Sequence, residues 1–282
     1  MSKIKVFLDL IKFEHTIFAL PFAYLGLFLA EGGLPRFHLF FWVTVAMIAI
    51  RTSAMCLNRL IDQAIDEQNP RTKNRVEAVK ILKRSVIWTI TIISIVISGF
   101  AASRLNFLCF ALLPIPLFLI WIYPYLKRIT WCSHLILGMI LGIAPYGGWL
   151  ASRPEWVWPP LLLTVAVICW VSGFDMFYAL QDIEFDRTHR LKSFPVRFGV
   201  ERTIGMVKIL HGFTVFMLAW FGWILNLGFW YWMGWLAAAA LIFREHRLVS
   251  RFGLSKINEA FFSMNAWVSV VIFLAMVLDL TF

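Results

Sequence analysis

The chain has 282 residues, of which 61% are hydrophobic and 15% are charged, and its mean hydropathy is +0.78. A soluble domain of this size cannot bury so much apolar surface, and its charged fraction is usually about 25%. The composition therefore excludes a soluble globular domain and a disordered chain, and it indicates a polytopic membrane protein. The net charge of +10 leaves nucleic-acid binding as an alternative that the membrane topology must test.

Apolar stretches of about 20 residues, the length that crosses a bilayer as a helix, recur along the whole chain. They predict an all-α bundle of about nine transmembrane helices, forming a single domain over residues 1–282. The first and eighth stretches are short, so the predicted count is open by one helix. The predicted spans are 15–30, 38–60, 86–103, 105–123, 131–151, 156–180, 204–225, 228–243 and 260–281.

Positive charge is concentrated on one side of these spans. Of the 26 Lys and Arg residues, 21 lie in alternate connections, whereas the opposite connections hold only Arg36, Arg104 and Arg153. The positive-inside rule then places the N-terminus in the cytoplasm, in a bacterial-type inner membrane. Because topology explains the basic excess, we expect a lipid bilayer and no nucleic acid as a partner.

Two cytoplasmic connections begin with carboxylates at helical spacing. Asn58, Asp62 and Asp66 follow at intervals of four residues, which predicts that they share one face of a helix. Asp182 and Asp186 repeat this interval 120 residues later, also at the cytoplasmic end of a predicted span. Carboxylates four residues apart repel each other, and a cation relieves that repulsion. Two such faces turned toward each other would suit Mg²⁺. The alternative interpretation is that these carboxylates only mark two solvated helix ends.

The residues around these carboxylates carry a longer pattern. Its segments are Asn58-Arg-x-x-Asp62-x-x-x-Asp66 with Asn69-Pro70-Arg71-Thr72-x-x-Arg75, then Tyr123-Pro124-x-x-Lys127-Arg128-x-Thr130, then Tyr178-x-x-x-Asp182-x-x-x-Asp186 with Lys192-Ser193-x-Pro195 and Arg197-Phe198-Gly199. In order and content, this pattern resembles the UbiA-type intramembrane aromatic prenyltransferases over essentially the whole chain. The chain departs from the family at Val76, where proline is frequent, and near His189-Arg190, where glycine is common.

The resemblance implies a helical bundle around a central cavity that opens to the cytoplasm. It implies that a polyprenyl diphosphate binds there with two Mg²⁺ ions and donates its chain to a small aromatic acid. The residues implied as metal ligands are Asn58, Asp62, Asp66, Asp182 and Asp186. The cytoplasmic loops expected to cap this active site are 62–85, 124–130 and 181–203.

Basic residues at the same cytoplasmic mouth are candidates for binding the phosphate oxygens. They are Arg71, Arg75, Lys127, Arg128 and Lys192, and ordinary positive-inside charge is the alternative explanation. Tyr123 belongs to the second segment of the pattern and is a further candidate for substrate binding. Tyr178 lies one turn before Asp182 and could orient a phosphate oxygen or turn its ring toward a cation.

Two charges lie within predicted spans rather than in the loops. Arg51 lies seven residues, about 10 Å of helix, before Asn58, and Asp175 lies seven residues before Asp182. A charge at this depth is costly, so it needs a partner or a polar cavity. An Arg51–Asp175 ion pair is one interpretation. In the other, Arg51 binds the carboxylate of the aromatic acid, and Asp175 accepts a hydrogen bond from its phenol or removes the ring proton.

The expected acceptor is 4-hydroxybenzoate, in the synthesis of ubiquinone or menaquinone. The segments Phe13–Pro21 and Asn69–Thr72 resemble a subgroup that acts on a dihydroxynaphthoate, so 1,4-dihydroxy-6-naphthoate is the alternative acceptor.

An ion-coupled secondary transporter is the alternative function from another class of protein. Pro145 and Gly147-Gly148 in the fifth span fit the broken helices of such transporters, but a transporter does not explain carboxylates gathered at one mouth.

Overall fold

The computed structural model describes the backbone of residues 2–252 and 257–282, and their side chains apart from 14–18 and 251–264. This part of the chain folds into helices and contains no strand, which confirms the all-α prediction. The α-helices are α1 (Lys3–Leu10), α2 (Phe13–Glu31), α3 (Phe37–Ile61), α4 (Gln63–Gln68), α5 (Lys73–Leu82), α6 (Arg84–Leu105), α7 (Phe107–Leu112), α8 (Pro114–Ile129), α9 (Ser133–Ser152), α10 (Pro159–Ala179), α11 (Ile183–Thr188), α12 (Phe194–Phe198), α13 (Val200–Ile224), α14 (Phe229–Phe252) and α15 (Ile257–Thr281).

Among the described residues, six segments are long and apolar enough to cross a membrane. They are Phe37–Ile61, Arg84–Leu105, Phe107–Ile129, Ser133–Ser152, Pro159–Thr188 and Val200–Ile224. Shorter apolar helices cover Ala19–Glu31 and Asn265–Thr281. The total of nine crossings stays a prediction, although a helix occupies each predicted span.

The loops predicted to cap the site are themselves largely helical. Residues 62–85 contain α4 and α5, and residues 181–203 contain α11 and α12. The short loop predicted at 124–130 is instead mostly the last turns of α8, which continues to Ile129. Helix α8 therefore extends beyond the predicted span 105–123, and its final turn carries the charged residues Lys127 and Arg128.

The chain divides into two compact units, and the first comprises Met1–Leu20 and Phe37–Tyr125. In this unit α3 and α6 pack along their length, and the N-terminal helix α1 packs against α5. Buried apolar side chains from α1, α3, α5 and α6 form one cluster: Val6, Leu10, Ile11, Cys56, Leu60, Val79, Leu82 and Ile87. This cluster holds the end of α3, where the first acidic motif begins.

The second unit comprises Pro21–Arg36 and Leu126–Phe282. Here α10 packs along its length against both α9 and α13, and α14 packs against α15. The end of α10 is held by a second buried cluster: Met176, Phe177, Leu180, Phe194, Val207 and Val249. The second acidic motif follows directly from this end of α10.

Helices α9 and α10 approach each other closely because glycines line their contact. A Cβ atom at Gly138 would lie 2.6 Å from the carbonyl oxygen of Ile168, and one at Gly142 would lie 3.0 Å from that of Thr164. The first distance is shorter than real Cβ atoms adopt, and the second is tighter than most Cβ contacts, so a side chain at either position would push the helices apart. Small residues at such positions let membrane helices pack backbone to backbone. His134 lies one turn before Gly138, on the face of α9 that meets α10.

Candidate active site

The spacing of the first acidic motif predicted one continuous helix, but the structure interrupts that helix. Helix α3 ends at Ile61, Asp62 forms a bend, and α4 begins at Gln63. The amide of Asp62 still donates to the Asn58 carbonyl at 3.0 Å, and the amide of Asp66 donates to the Asp62 carbonyl at 2.8 Å. A short polar side chain competes with helical hydrogen bonding, which accounts for a bend at an aspartate.

Side-chain hydrogen bonds fix the start of this motif. The Asn58 amide Nδ2 donates to Asp62 Oδ2 at 2.8 Å, while Asn58 Oδ1 accepts from Arg59 Nη1 at 3.1 Å. Arg59 is only 4% exposed, and its Nε atom donates to the Leu10 carbonyl at 3.3 Å. Arg59 has no predicted role of its own. The structure makes it the link between the end of α1 and the first acidic motif.

Asp66 is buried, and a basic side chain lies beside it. Arg75 Nη1 is 3.4 Å from Asp66 Oδ1, which brings together two residues that the sequence analysis selected. The segment between them is tightly turned: the Thr72 hydroxyl donates to the Asp66 carbonyl at 3.1 Å, and the Arg71 amide donates to Asn69 Oδ1 at 3.0 Å. The Arg71 side chain is exposed. Arg75 therefore contacts the motif directly.

The second acidic motif is also interrupted. Helix α10 ends at Ala179, a single 3-10 turn covers Leu180–Asp182, and α11 follows. Asp182 and Asp186 are both buried, and Tyr178 is half-buried in the last turn of α10. Among the described residues, neither Asp186 Oδ2 nor the nearby Ser193 hydroxyl makes a hydrogen bond of normal geometry. A buried carboxylate oxygen without a partner is costly, so a bound cation is the natural way to satisfy it.

Basic residues from two segments meet beside this motif. Lys127 and Arg128 lie in the last turn of α8, and the charge of Lys127 interacts with the carboxylate of Asp186. The backbone amide of Lys192 donates to the Lys127 carbonyl at 2.6 Å, and its Nζ donates to the Ile129 carbonyl at 3.0 Å. The second unit thus brings together three predicted site residues from separate parts of the sequence, which are Lys127, Asp186 and Lys192. Tyr123 lies one turn before Lys127 on α8.

The two charges inside the predicted spans have different surroundings. Arg51 lies on α3, and its buried Nε atom has no hydrogen-bond partner among the residues that the structure describes. Asp175 lies on α10, and its Oδ2 atom is 2.6 Å from Nδ1 of the fully buried His134. His134 is not among the predicted site residues. A titratable residue inside an apolar span was the available signal, since the same reasoning selected Arg51 and Asp175.

Comparisons with known proteins identify a family that this chain matches over most of its length. The sequence profile described as the UbiA prenyltransferase family matches residues 19–269. The chain is 25% identical over 258 residues to a 4-hydroxybenzoate octaprenyltransferase of Francisella tularensis, covering 90% of this chain and 89% of the relative. It is 27% identical over 257 residues to the enzyme of the same name from Yersinia pseudotuberculosis, covering 90% and 88%.

Solved structures give the same picture for the fold. A UbiA homologue from Aeropyrum pernix in its apo form matches with a TM-score of 0.86 and 28% identity, over 94% of this chain and 98% of that one. A UbiA homologue from Archaeoglobus fulgidus bound to DMAPP and Mg²⁺ matches with a TM-score of 0.70 and 18% identity, over 96% and 99%. At that identity the second likeness concerns the fold alone.

The acidic residues fit Mg²⁺ by their chemistry. Within the described residues, no three His, Cys, Asp or Glu side chains come together as a ready-made metal site. Each motif instead supplies two aspartates, and Asp186 Oδ2 is left without a partner. Mg²⁺ is characteristically bound in this way, by one or two carboxylates, with waters and substrate phosphates as the remaining ligands.

Proposed function

Because the chain belongs to the UbiA prenyltransferase family, we propose that it transfers a polyprenyl group from polyprenyl diphosphate to 4-hydroxybenzoate. The chain is an Mg²⁺-dependent prenyltransferase and an integral membrane protein, so the transporter alternative is wrong. The proposal is carried by one observation, the buried second acidic motif with its unpartnered Asp186 oxygen beside Lys127. The names of the curated relatives support 4-hydroxybenzoate as the acceptor.

The diphosphate is held at the cytoplasmic mouth of the site in this proposal. Two bound Mg²⁺ ions supply positive charge that stabilises the diphosphate as a leaving group. The residues that hold them are Asn58, Asp62, Asp66, Asp182 and Asp186. Basic side chains then donate hydrogen bonds to the remaining phosphate oxygens, which carry more charge as the bond breaks. Those side chains are Arg71, Arg75, Lys127, Arg128 and Lys192.

The reaction breaks the bond between the allylic carbon and the diphosphate oxygen, whose electron pair leaves with the diphosphate. A ring carbon ortho to the phenol then forms the new carbon–carbon bond, and the ring loses a proton. In this proposal the hydroxyls of Tyr123 and Tyr178 orient the phosphate, and their rings face the allylic cation. The apolar helix walls exclude water, which would otherwise capture that cation.

The aromatic acid is held deeper in the membrane. Arg51 donates hydrogen bonds to its carboxylate, which gives the buried guanidinium the partner that its Nε atom lacks among the described residues. Asp175 accepts a hydrogen bond from the phenol or removes the ring proton. These two contacts recognise opposite ends of a 4-hydroxybenzoate ring, and they require both an acid and a phenol in the acceptor.

A naphthoate is the second candidate acceptor. The Asn69–Thr72 segment that motivates it forms the tight turn beside Asp66. Of the Phe13–Pro21 segment, the side chains of residues 14–18 lie outside the described part. The 1,4-dihydroxy-6-naphthoate ring also carries an acid and a phenol, so the same two contacts would bind it.

We propose the bacterial-type inner membrane as the location, with the N-terminus and the active site facing the cytoplasm.

The deciding experiment uses the purified full chain in detergent or nanodiscs with Mg²⁺ and polyprenyl diphosphates of several lengths. 4-Hydroxybenzoate and 1,4-dihydroxy-6-naphthoate are supplied in parallel, and release of diphosphate is measured together with the prenylated ring. Prenylated 4-hydroxybenzoate supports the proposal, and turnover of the naphthoate alone overturns the acceptor. Asp62→Ala and Asp182→Ala should each lose turnover. Full activity in both variants would refute the metal assignment.

A further inference from the structure

The hydrogen bonds of His134 determine which of its ring nitrogens carries the proton. Its Nε2 atom lies 3.4 Å from the backbone nitrogen of Phe194, at the start of α12. A peptide N–H can only donate, so Nε2 is the acceptor and the proton is on Nδ1. The Nδ1–H group therefore donates to Oδ2 of Asp175, 2.6 Å away. His134 is completely buried, so water does not compete for either contact.

The helix packing of the second unit holds this contact in place. His134 lies in the first turn of α9, and Gly138 and Gly142 continue the same face one and two turns later. These glycines press α9 against α10 at the carbonyls of Ile168 and Thr164. The separation of the two helices is therefore fixed by backbone contact. That separation sets the distance between the His134 ring and Asp175.

The other end of the imidazole contacts the phosphate side of the proposed site. Phe194 follows two residues after Lys192, whose amide is bonded to the Lys127 carbonyl. The Asp186 carboxylate also interacts electrostatically with Lys127. A single buried side chain thus connects Asp175 with the segment that presents Lys192.

This inference rests on the proposed function, in which Asp175 contacts the acceptor. We propose that His134 is a positioning residue that orients the Asp175 carboxylate toward the aromatic acid. Its Nδ1–H group occupies Oδ2, which leaves Oδ1 of a side chain that is 17% exposed to contact the phenol. The hydrogen bond to Phe194 fixes the tautomer that makes this donation possible.

Two substitutions separate the two contacts of His134. In His134→Asn the amide nitrogen replaces Nδ1 and keeps the donor to Asp175, while the acceptor for Phe194 is lost. In His134→Gln the longer side chain reaches the Nε2 position and keeps an acceptor for Phe194, while the donor to Asp175 is lost. Because the lost hydrogen bond is to a charged group, we expect His134→Gln to lower kcat/KM for the aromatic acid by about 10- to 100-fold. Its KM for the polyprenyl diphosphate should stay unchanged.

His134→Asn should show the opposite division, with the KM of the aromatic acid near the wild-type value and the KM of the polyprenyl diphosphate raised. In an Asp175→Asn background, His134→Gln should add little, because interacting residues are not additive. His38→Gln, on an exposed histidine of α3, is the matched control. Thermal unfolding in detergent is measured for every variant.

Equal losses for both substrates in both His134 variants would mean a purely structural role and overturn the proposal, as would wild-type acceptor kinetics in His134→Gln. If His134→Gln does not fold, His134→Asn decides, since a large loss for the aromatic acid there overturns the proposal. The wild-type chain separates this test from that of the function. If it prenylates neither aromatic acid, the proposed function fails, whereas an active wild type with indistinguishable variants refutes only the role of His134.

Discussion

Substituting Gly138 by alanine tests the packing that places His134 against Asp175. The added Cβ would lie 2.6 Å from the Ile168 carbonyl oxygen, and it would also collide with the Ser172 hydroxyl. Serine can rotate, but a backbone carbonyl cannot, so the two helices must separate. An ordinary contact begins at 3.4 Å, which requires a shift of about 0.8 Å.

That shift acts one turn away on the His134–Asp175 contact. Lengthening it from 2.6 Å by the same amount gives about 3.4 Å, at which a hydrogen bond to a charged group is much weaker. We therefore expect Gly138→Ala to lower kcat/KM for the aromatic acid by about tenfold, the value of one such bond. Overpacking should also cost about 1–3 kcal/mol of unfolding free energy.

The assay is steady-state prenylation with each substrate varied in turn, together with thermal unfolding in the same detergent. Gly147→Ala is the matched control, because a Cβ there meets nothing within 4 Å among the described residues of the same helix and its neighbours. Alanine at that position should keep wild-type kinetics and stabilise the helix by about 0.5–1 kcal/mol. Wild-type stability and acceptor kinetics in Gly138→Ala would show that α9 and α10 are not in backbone contact and refute the reasoning.

Three further substitutions probe the rest of the site. Asp186→Asn keeps the side-chain shape but removes the negative charge of a proposed ligand. The half-saturating Mg²⁺ concentration in the turnover assay should therefore rise about tenfold or more. An unchanged Mg²⁺ dependence would contradict the role of Asp186 as a metal ligand. Arg59→Met removes the two hydrogen bonds to Asn58 and Leu10, which predicts a loss of about 1–3 kcal/mol by thermal unfolding and weaker Mg²⁺ activation; Arg59→Lys, which keeps the charge, is its control. Arg51→Met should raise the KM of the aromatic acid by about 10- to 100-fold and leave that of the diphosphate unchanged; equal changes for both substrates would place Arg51 outside the acceptor site.

Hydropathy and charge predict the helices of this chain well, because membrane spans depend on composition over about 20 residues. They do not predict where those helices break. The four-residue spacing of Asn58, Asp62 and Asp66 indicated a single helix, whereas the backbone bends at Asp62. Helical spacing is a necessary condition for a shared face, but capping and side-chain competition decide whether the helix continues.

The aspartates proposed as metal ligands could be selected from the sequence, because their spacing is local. The His134–Asp175 contact was not, since the two residues are 41 positions apart on neighbouring helices. Their meeting depends on how α9 is placed along α10, which the glycine contacts determine. Arg59 was missed for a related reason. Its partner Leu10 belongs to a helix 49 residues earlier.

The contact between Arg75 and Asp66 gives the first motif an internal counterion. If Asp66 holds Mg²⁺ as proposed, the metal would replace Arg75 as the partner of this carboxylate, so metal loading would be an exchange rather than an addition. The displaced arginine would then be available to the incoming phosphates. Any two ligands linked in this way must raise each other's affinity by the same factor. We expect the Mg²⁺ affinity measured by calorimetry to increase when inorganic diphosphate is present, and Arg75→Met to reduce that increase. Equal coupling in the variant would show that Arg75 takes no part in the exchange.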